Sequence, residues 1–438
     1  MELGTDFTLT KQQDRAADMI EVWYNSYKET GKQIFVLSGY AGTGKTTLIN
    51  YVINKVLNLK PEEVAFATPT GKAASVLIQK GSPATTIHRL IYSAVERDFE
   101  TVINGKTIKT KKIEFVKRRN IGKYKIIILD EISMINKKIM EDLLSYGLPI
   151  LATGDIGQLP AIAAESHNLL DNPDFNLTEI VRQAEDNAIL NIATKAREGK
   201  PIAFGNYNDD VIVIDRNMLN NAEFATFLLG ADQVICGKNA TRVKLNKLIR
   251  HLKGYSGNTP QDGEKLICEL NNYEIDFNDE YSLVNGMSGT IKNFKVIDDD
   301  LKLATLSFTP DFIDSTVDGI LVESSVFEND KFLYEKHQNI YLMFDGSYRL
   351  QKRIYSSKDN DELYKKQLRE EFLTKKKAIG TFMINQFNYG YAITCHKAQG
   401  SQWDYVVVID ESAIFGKDKD RFLYTAITRA AKKLVIIR

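Results

Sequence analysis

Residues Ile34-Phe-Val-Leu-Ser-Gly39-Tyr-Ala-Gly-Thr-Gly-Lys45-Thr46-Thr47 decide the fold. A short apolar run, Ile34 to Leu37, predicts a buried strand. The loop that follows fits the pattern GxxxxGK[ST]. Leu48, Ile49, Val52, Ile53 and Val56 then recur at helical spacing. Strand, loop and helix in this order make a phosphate-binding loop. Gly39, Gly42 and Gly44 let backbone N–H groups turn toward phosphates, with Thr43 and Thr47 beside them. The helix N-terminus adds a partial positive charge. Lys45 reaches the β- and γ-phosphates, and Thr46 can ligate Mg²⁺.

A second signal lies 85 residues on, at Ile126-Ile-Ile-Leu-Asp-Glu131. Four apolar residues suit a strand buried on both faces of a parallel sheet. Two carboxylates at its C-terminal end stand where open α/β sheets bind ligands. A lone Asp-Glu after a strand is more often a solvated strand end. Beside a phosphate loop, Asp130 is expected to hold Mg²⁺ and Glu131 to polarise an attacking water. Together the two signals imply an Mg-nucleotide triphosphatase.

Two more strand ends carry candidate loops. Val64–Thr68 runs into Pro69-Thr-Gly-Lys-Ala-Ala74, and Leu148–Thr153 into Gly154-Asp-Ile-Gly-Gln158-Leu-Pro160. An amide such as Gln158 can bond both a γ-phosphate oxygen and the attacking water. Between Ile91 and Lys125 the pattern changes to period two around Asn104-Gly105, which predicts a hairpin. Residues 102–125 hold nine Lys/Arg and one acid. That charge points to a nucleic-acid contact, against the blander reading of an edge hairpin blunted with lysines.

The rest of the chain sets limits. Its 438 residues are 43% hydrophobic and 26% charged, enough apolar material for sizeable cores in about three domains. Lys+Arg and Asp+Glu are 57 each, which excludes a polybasic class for the chain as a whole. Three scattered cysteines and five unpaired histidines argue against a disulfide scaffold or zinc site. No apolar run approaches the ~20 residues of a membrane span, and no signal peptide is evident. A soluble, cytoplasmic protein of a bacterial or phage-infected cell is expected, with no membrane partner. Residues 276–385 read as short strands, including Ala304–Phe308 and Ile340–Phe344. One amphipathic helix is marked by Tyr364, Leu368 and Phe372. The α/β pattern resumes at Tyr391-Ala-Ile-Thr-Cys-His-Lys-Ala-Gln-Gly400 and continues through Val406–Ile409 and Phe422–Ala430.

In order, GxAGTGKT, TPTGKAA, LDEISM, GDxxQLP, YAITCHKAQG and YTAITRA resemble the motifs of superfamily 1 helicases. Within them the chain is similar to the 5′-to-3′ branch: RecD-like, Pif-type and, in size and layout, Dda-type phage DNA helicases. The resemblance implies an α/β fold of two RecA-like cores. Residues 1–185 would form the first, with a β-hairpin pin at about 92–123. Residues 186–275 plus 386–438 would form the second, with an SH3-like β-barrel inserted at 276–385.

The same resemblance implies roles. Gln13 would contact adenine, Gly400 would lie near the nucleotide, and Arg182 and Arg429 would be arginine fingers. Pro69, Thr70, Thr86, His88, Thr394 and His396 would contact single-stranded DNA. Gln402 stands where relatives often carry Glu, which puts a ribose contact there in question. The implied activity is ATP-dependent unwinding of DNA, with ATP and Mg²⁺ as cofactors. Single-stranded DNA and duplex forks are the expected partners of a monomer, alongside single-strand-binding or replication proteins. An RNA-directed helicase, a protein-displacing translocase and a nucleotide-switched DNA tether remain open. So does the pathway, among replication, recombination and repair.

Overall fold

The computed structural model describes residues 8–79, 81–103, 106–160, 169–181, 187–277, 281–298, 303–311, 313–324, 327 and 385–438. The Asn104-Gly105 turn, Arg182, the Ile340–Phe344 stretch and the expected Tyr364–Phe372 helix lie outside them.

The first core is built on β1 (Ile34–Gly39), β2 (Val64–Thr68) and β3 (Ala84–Thr86). Then come two long strands, β4 (Tyr92–Ile103) and β5 (Lys106–Lys117), which pair only with each other. The core resumes with β6 (Ile126–Leu129), β7 (Ile150–Gly154) and β8 (Phe175–Leu177). Its sheet order is β3-β2-β6-β7-β1-β8, and every pairing is parallel. The apolar runs are continuous because both faces are covered. In β6, Ile126 and Ile128 join Trp23, Leu48 and Val52 on one side. Ile127 and Leu129 join Met140 and Leu143 on the other. Alternate side chains point to opposite faces, so a strand sandwiched between helices must be apolar at every position.

Chain order continues with β9 (Gly205–Asn206), β10 (Val211–Ile214) and β11 (Gln233–Cys236). Next come β12 (Lys265–Cys268), β13 (Asn272–Phe277), β14 (Tyr281–Leu283), β15 (Ser288–Asp298), β16 (Leu303–Pro310), β17 (Val317–Glu323) and β18 (Phe387–Tyr389). The last three are β19 (Ala392–Thr394), β20 (Trp403–Ile409) and β21 (Ala430–Ile437). The second sheet has the order β19-β11-β20-β21-β10-β9, parallel except for β9 at its edge.

The chain divides into two compact units. One holds both six-stranded sheets: residues 1–93, 116–242 and 392–438. The other holds residues 94–115 and 243–391. Its five-stranded sheet, β17-β16-β15-β12-β18, is antiparallel around Phe277, Phe308 and Phe387. β12 and β18 lie outside the 276–385 stretch read as an insertion. They are recruited because β12 pairs with β15 on one side and β18 on the other, completing the sheet around that apolar centre.

The basic stretch is partly accounted for. Lys117 donates to Ser145 Oγ at 2.9 Å, Lys125 pairs with Glu63 at 2.8 Å, and Arg118 Nε donates to Tyr92 O at 3.0 Å. These three hold the foot of the β4–β5 pair and the approach to β6. No helix among the described residues is long and apolar enough to cross a membrane.

Candidate active site

The phosphate loop leaves β1 at Gly39 and enters a helix, Lys45–Tyr51. Gly42 and Gly44 have φ of 81° and 74°, a region that side chains rarely adopt. A Cβ on Gly44 would also lie 2.5 Å from Gln13 Nε2. Gln13 is buried against the loop backbone. Its Nε2 donates to Thr43 O at 3.0 Å, and its Oε1 accepts from Thr10 N–H at 3.0 Å in a capping box. Lys45 Nζ donates to Gly39 O at 2.6 Å and Tyr40 O at 3.0 Å, so the cation lies folded onto the loop. Thr46 and Thr47 are half-buried in the first turn of the helix.

β6 delivers Asp130 and Glu131 to the same end of the sheet. Asp130 Oδ1 accepts from Glu131 N–H at 2.9 Å. Glu131 takes a left-handed backbone, φ 55° and ψ 43°, which is strained for a residue with a side chain. Removal from water pushes its carboxyl up to about 7, helped by the charges of Asp130 and Asp155, while Arg429 and Lys45 pull it down. A carboxyl titrating there suits a general base at neutral pH.

The second core contributes from the helix Lys419–Ile427 and the turn after Ala398. Arg429 is buried. Its Nε donates to Thr425 O at 3.0 Å, Nη1 to Ser401 O at 3.2 Å and Nη2 to Thr428 Oγ1 at 3.0 Å. Its charge lowers the value of the Glu131 carboxyl, against the burial that raises it. Gly400, at φ 70°, brings this turn against the first core: a Cβ there would lie 3.1 Å from Ala73 Cβ and 3.6 Å from Thr70 Oγ1. Gln402 is exposed.

Gln158 is buried in the cleft wall, with Oε1 lacking a hydrogen-bond partner among the described residues. Thr153 Oγ1 and Ser401 Oγ are in the same state. Ser324 Oγ, in the other unit, is the fourth such atom among the described residues; buried polar atoms ordinarily find partners.

The expected single-strand contacts fall at strand ends of both cores. Pro69 and Thr70 are half-buried after β2. Thr86 is buried, and its hydroxyl accepts from Arg89 N–H at 3.1 Å as a helix cap. His88 packs on Tyr92 with ring centroids 5.4 Å apart. Thr394 precedes the turn Cys395–Ala398 and makes no side-chain cap bond. His396 lies 5.9 Å from Phe415, which stacks on Phe422 at 4.5 Å. Burial holds both imidazoles below their ordinary value, which favours the neutral ring.

Several cleft residues had no role assigned from the sequence. Asp155, Gln399, Tyr424 and Thr425 stand inside the quoted motifs, and only their contacts across the cleft distinguish them. Arg197, whose guanidinium lies 3.6 Å from the Tyr40 ring centroid, is in no motif at all.

A family model described as an AAA domain matches residues 10–216, and one described as a UvrD-like helicase C-terminal domain matches residues 389–437. The ATP-dependent RecD2 DNA helicase of Deinococcus radiodurans is 26% identical over 422 residues, covering 91% of this chain and 46% of its own. The RecBCD enzyme subunit RecD of Buchnera aphidicola is 24% identical, covering 92% of this chain and 70% of its own. The ATP-dependent DNA helicase dda of phage T4 is 28% identical over 180 residues, 39% of each chain. This chain spans less than half the length of RecD2, and 38% of a Methanocaldococcus jannaschii relative. With its ordered motifs, the two family models and these relatives, the chain is similar to superfamily 1 helicases of the RecD type.

Proposed function

We propose that the chain is an ATP-driven DNA helicase that moves 5′ to 3′ on single-stranded DNA and separates duplex ahead of it. The observation that carries this reading is one cleft lined from both cores: phosphate loop, Glu131 and Gln158 from the first, Arg429 from the second. DNA as substrate rests on the RecD2 and dda relatives, and the direction on the resemblance of the ordered motifs to the 5′-to-3′ branch.

The residues fit a nucleoside triphosphate with Mg²⁺. The left-handed glycines shape a loop of turned amides, Lys45 supplies a cation, and unpartnered Gln158 Oε1 and Ser401 Oγ supply polar groups. Thr46 and Asp130 are the hard oxygen donors. One carboxylate and one hydroxyl suffice for Mg²⁺, which keeps waters and phosphate ligands. Bound there, the ion would neutralise charge on the β- and γ-phosphate oxygens. Glu131 takes the proton of the attacking water, and Gln158 orients that water. Arg429, and Arg182 as its companion, stabilise charge in the transition state. Nucleotide binding favours the closed cleft and hydrolysis the open one, so Pro69, Thr70, Thr86 and His88 on one core alternate their grip with Thr394 and His396 on the other.

We assign the β4–β5 pair as the strand-separating pin and the five-stranded sheet as the SH3-like insertion. The proposed domains are 1–185, 186–275 with 386–438, and 276–385, the insertion's sheet being completed by β12 and β18 from the flanking stretches, and the chain acts as a monomer. The test is unwinding of DNA and RNA duplexes carrying a 5′ or a 3′ tail. Unwinding of 5′-tailed DNA is expected; efficient unwinding from the 3′ tail alone would move the chain to the opposite polarity. Replacing residues 100–112 by a short Gly/Ser loop should leave DNA-stimulated ATPase nearly unchanged and sharply reduce unwinding. If both fall together, the pair is part of the DNA grip or of the fold.

A further inference from the structure

The segment Asp155–Leu159, which carries Gln158, is held by the second core at both ends. At one end, Tyr424 Oη donates to Asp155 Oδ2 at 2.7 Å. At the other, Leu159 N–H donates to Thr425 Oγ1 at 2.9 Å, and Gln399 Nε2 donates to Leu159 O at 2.6 Å. Within the segment, Asp155 Oδ1 accepts from Gly157 N–H at 2.9 Å, and Gln158 N–H donates to Asp155 O at 3.2 Å. The backbone around Gln158 is thus anchored throughout, while its side-chain oxygen is left without a partner.

Tyr424 does a second thing. Its hydroxyl accepts from Ala41 N–H, a phosphate-loop amide, at 2.7 Å. The ring is fixed by Tyr40, edge-on at 6.3 Å, and by Gly157, where a Cβ would come within 2.8 Å of Tyr424 Cε1. One buried hydroxyl therefore ties three things together: the loop of the first core, the sensor segment of the first core, and the helix of the second core that leads to Arg429.

We propose that Tyr424 is a positioning residue: its hydroxyl couples the state of the phosphate loop to the placement of Gln158 and of the second core. The inference rests on the hydrolytic reading of the cleft. Ala41 N–H can serve either the Tyr424 hydroxyl or a phosphate oxygen, and a charged acceptor is the stronger of the two. When Ala41 turns to phosphate, Tyr424 keeps only Asp155. The helix Lys419–Ile427 then loses one of its two hydroxyl ties to the first core on that side, while Thr425 and Gln399 keep hold of Leu159.

The test is Tyr424→Phe, which keeps the ring and removes the hydroxyl. DNA-stimulated kcat should fall about tenfold, equivalent to about 1.4 kcal/mol, with KM for ATP changed less than about threefold. Tyr424→Phe combined with Gln158→Ala should be no slower than Gln158→Ala alone, because residues acting as a unit are not additive. In nucleotide-free protein the Ala41 amide should exchange its hydrogen about tenfold faster than in wild type, as it loses its acceptor. Additive losses, an unchanged kcat or unchanged Ala41 exchange would each overturn the role of Tyr424. A wild-type chain with no ATPase would instead overturn the hydrolytic reading beneath it, while the exchange measurement still tests the contact. If thermal melts show that Tyr424→Phe does not fold, Thr425→Val releases the other end of the segment. It should give the same non-additive loss with Gln158→Ala, and additivity there would overturn the proposal.

Discussion

Two stretches of this chain have nearly the same sequence and the same place in the fold, yet opposite fates. Ile126-Ile-Ile-Leu-Asp-Glu131 and Val406-Val-Val-Ile-Asp-Glu411 are both buried apolar strands ending in Asp-Glu. β6 and β20 each stand third in a six-stranded sheet. At the end of β6, Glu131 is held in a left-handed backbone among carboxylates and titrates near 7. At the end of β20 both acids are consumed by the protein. Asp410 accepts from Arg438 Nε at 2.8 Å. Glu411 accepts from Gly237 N–H and Lys238 N–H at 2.8 Å each and from Thr241 Oγ1 at 2.6 Å, capping the helix Asn239–Leu252. Carboxylates at a helix N-terminus are stabilised by the unsatisfied amides and the dipole. The pattern places a pair of acids at a strand end; the neighbours decide whether it is chemistry or scaffolding.

The largest effect that would separate the two sheets comes from the loop beside β6. Lys45→Ala should abolish ATP hydrolysis while leaving single-strand binding largely intact, read by steady-state ATPase and by DNA-binding titration. Residual ATPase near wild type would remove the phosphate loop from the chemistry. Next is the second core's own contribution. Arg429→Ala should lower kcat by roughly 10³-fold or more with a smaller change in nucleotide affinity, as expected of a charge that acts on the transition state. A raised KM with unchanged kcat would make it a ground-state ligand.

Matched substitutions test the Asp-Glu comparison directly. Glu131→Gln should reduce kcat by roughly 10²-fold or more. Glu411→Gln should leave kcat at saturating substrate unchanged and cost about 1 kcal/mol of stability through the weakened cap. Equal kinetic losses from both would erase the distinction.

The smallest effect is on pH. Glu131 must be deprotonated to act, so kcat/KM, which reports the free protein, should rise as pH increases through about 7. The stability sign is the reverse of an ion-paired carboxylate. Its folded value lies above the ordinary 4.5, so folding favours the protonated form. Stability from this group is full below about 4.5 and is lost as pH rises through 7. Glu131→Gln should therefore melt a few degrees higher than wild type at about pH 8 and nearly the same at about pH 4. A gain equal at both values would mean that the carboxyl is not perturbed.

Much of the architecture was legible because its causes are local in sequence. Continuous apolar runs followed by glycine loops and helical spacing placed β1, β2, β6 and β7 and the loops after them. Each strand buried on both faces writes its burial into four or five consecutive residues. Lys45, Asp130, Glu131, Gln158 and Arg429 were legible for the same reason, standing at fixed offsets from those strands and motifs. Other features depend on residues far apart in the chain. Gln13 is expected at adenine from its motif, while its amide bonds to Thr10 and Thr43 follow only from the fold. Thr86 is expected at DNA from the resemblance, and the cap its hydroxyl makes for its own helix follows only from the fold. β12 and β18 could not be assigned to the antiparallel sheet from their own residues, since their pairing is with strands brought in from elsewhere. The same holds for Tyr424, 383 positions from Ala41. Sequence determined which residues end up at strand ends, because periodicity and burial are properties of short stretches. Tertiary structure alone decided which of those residues are left without a partner, because a hydrogen-bond partner is set by distance in space.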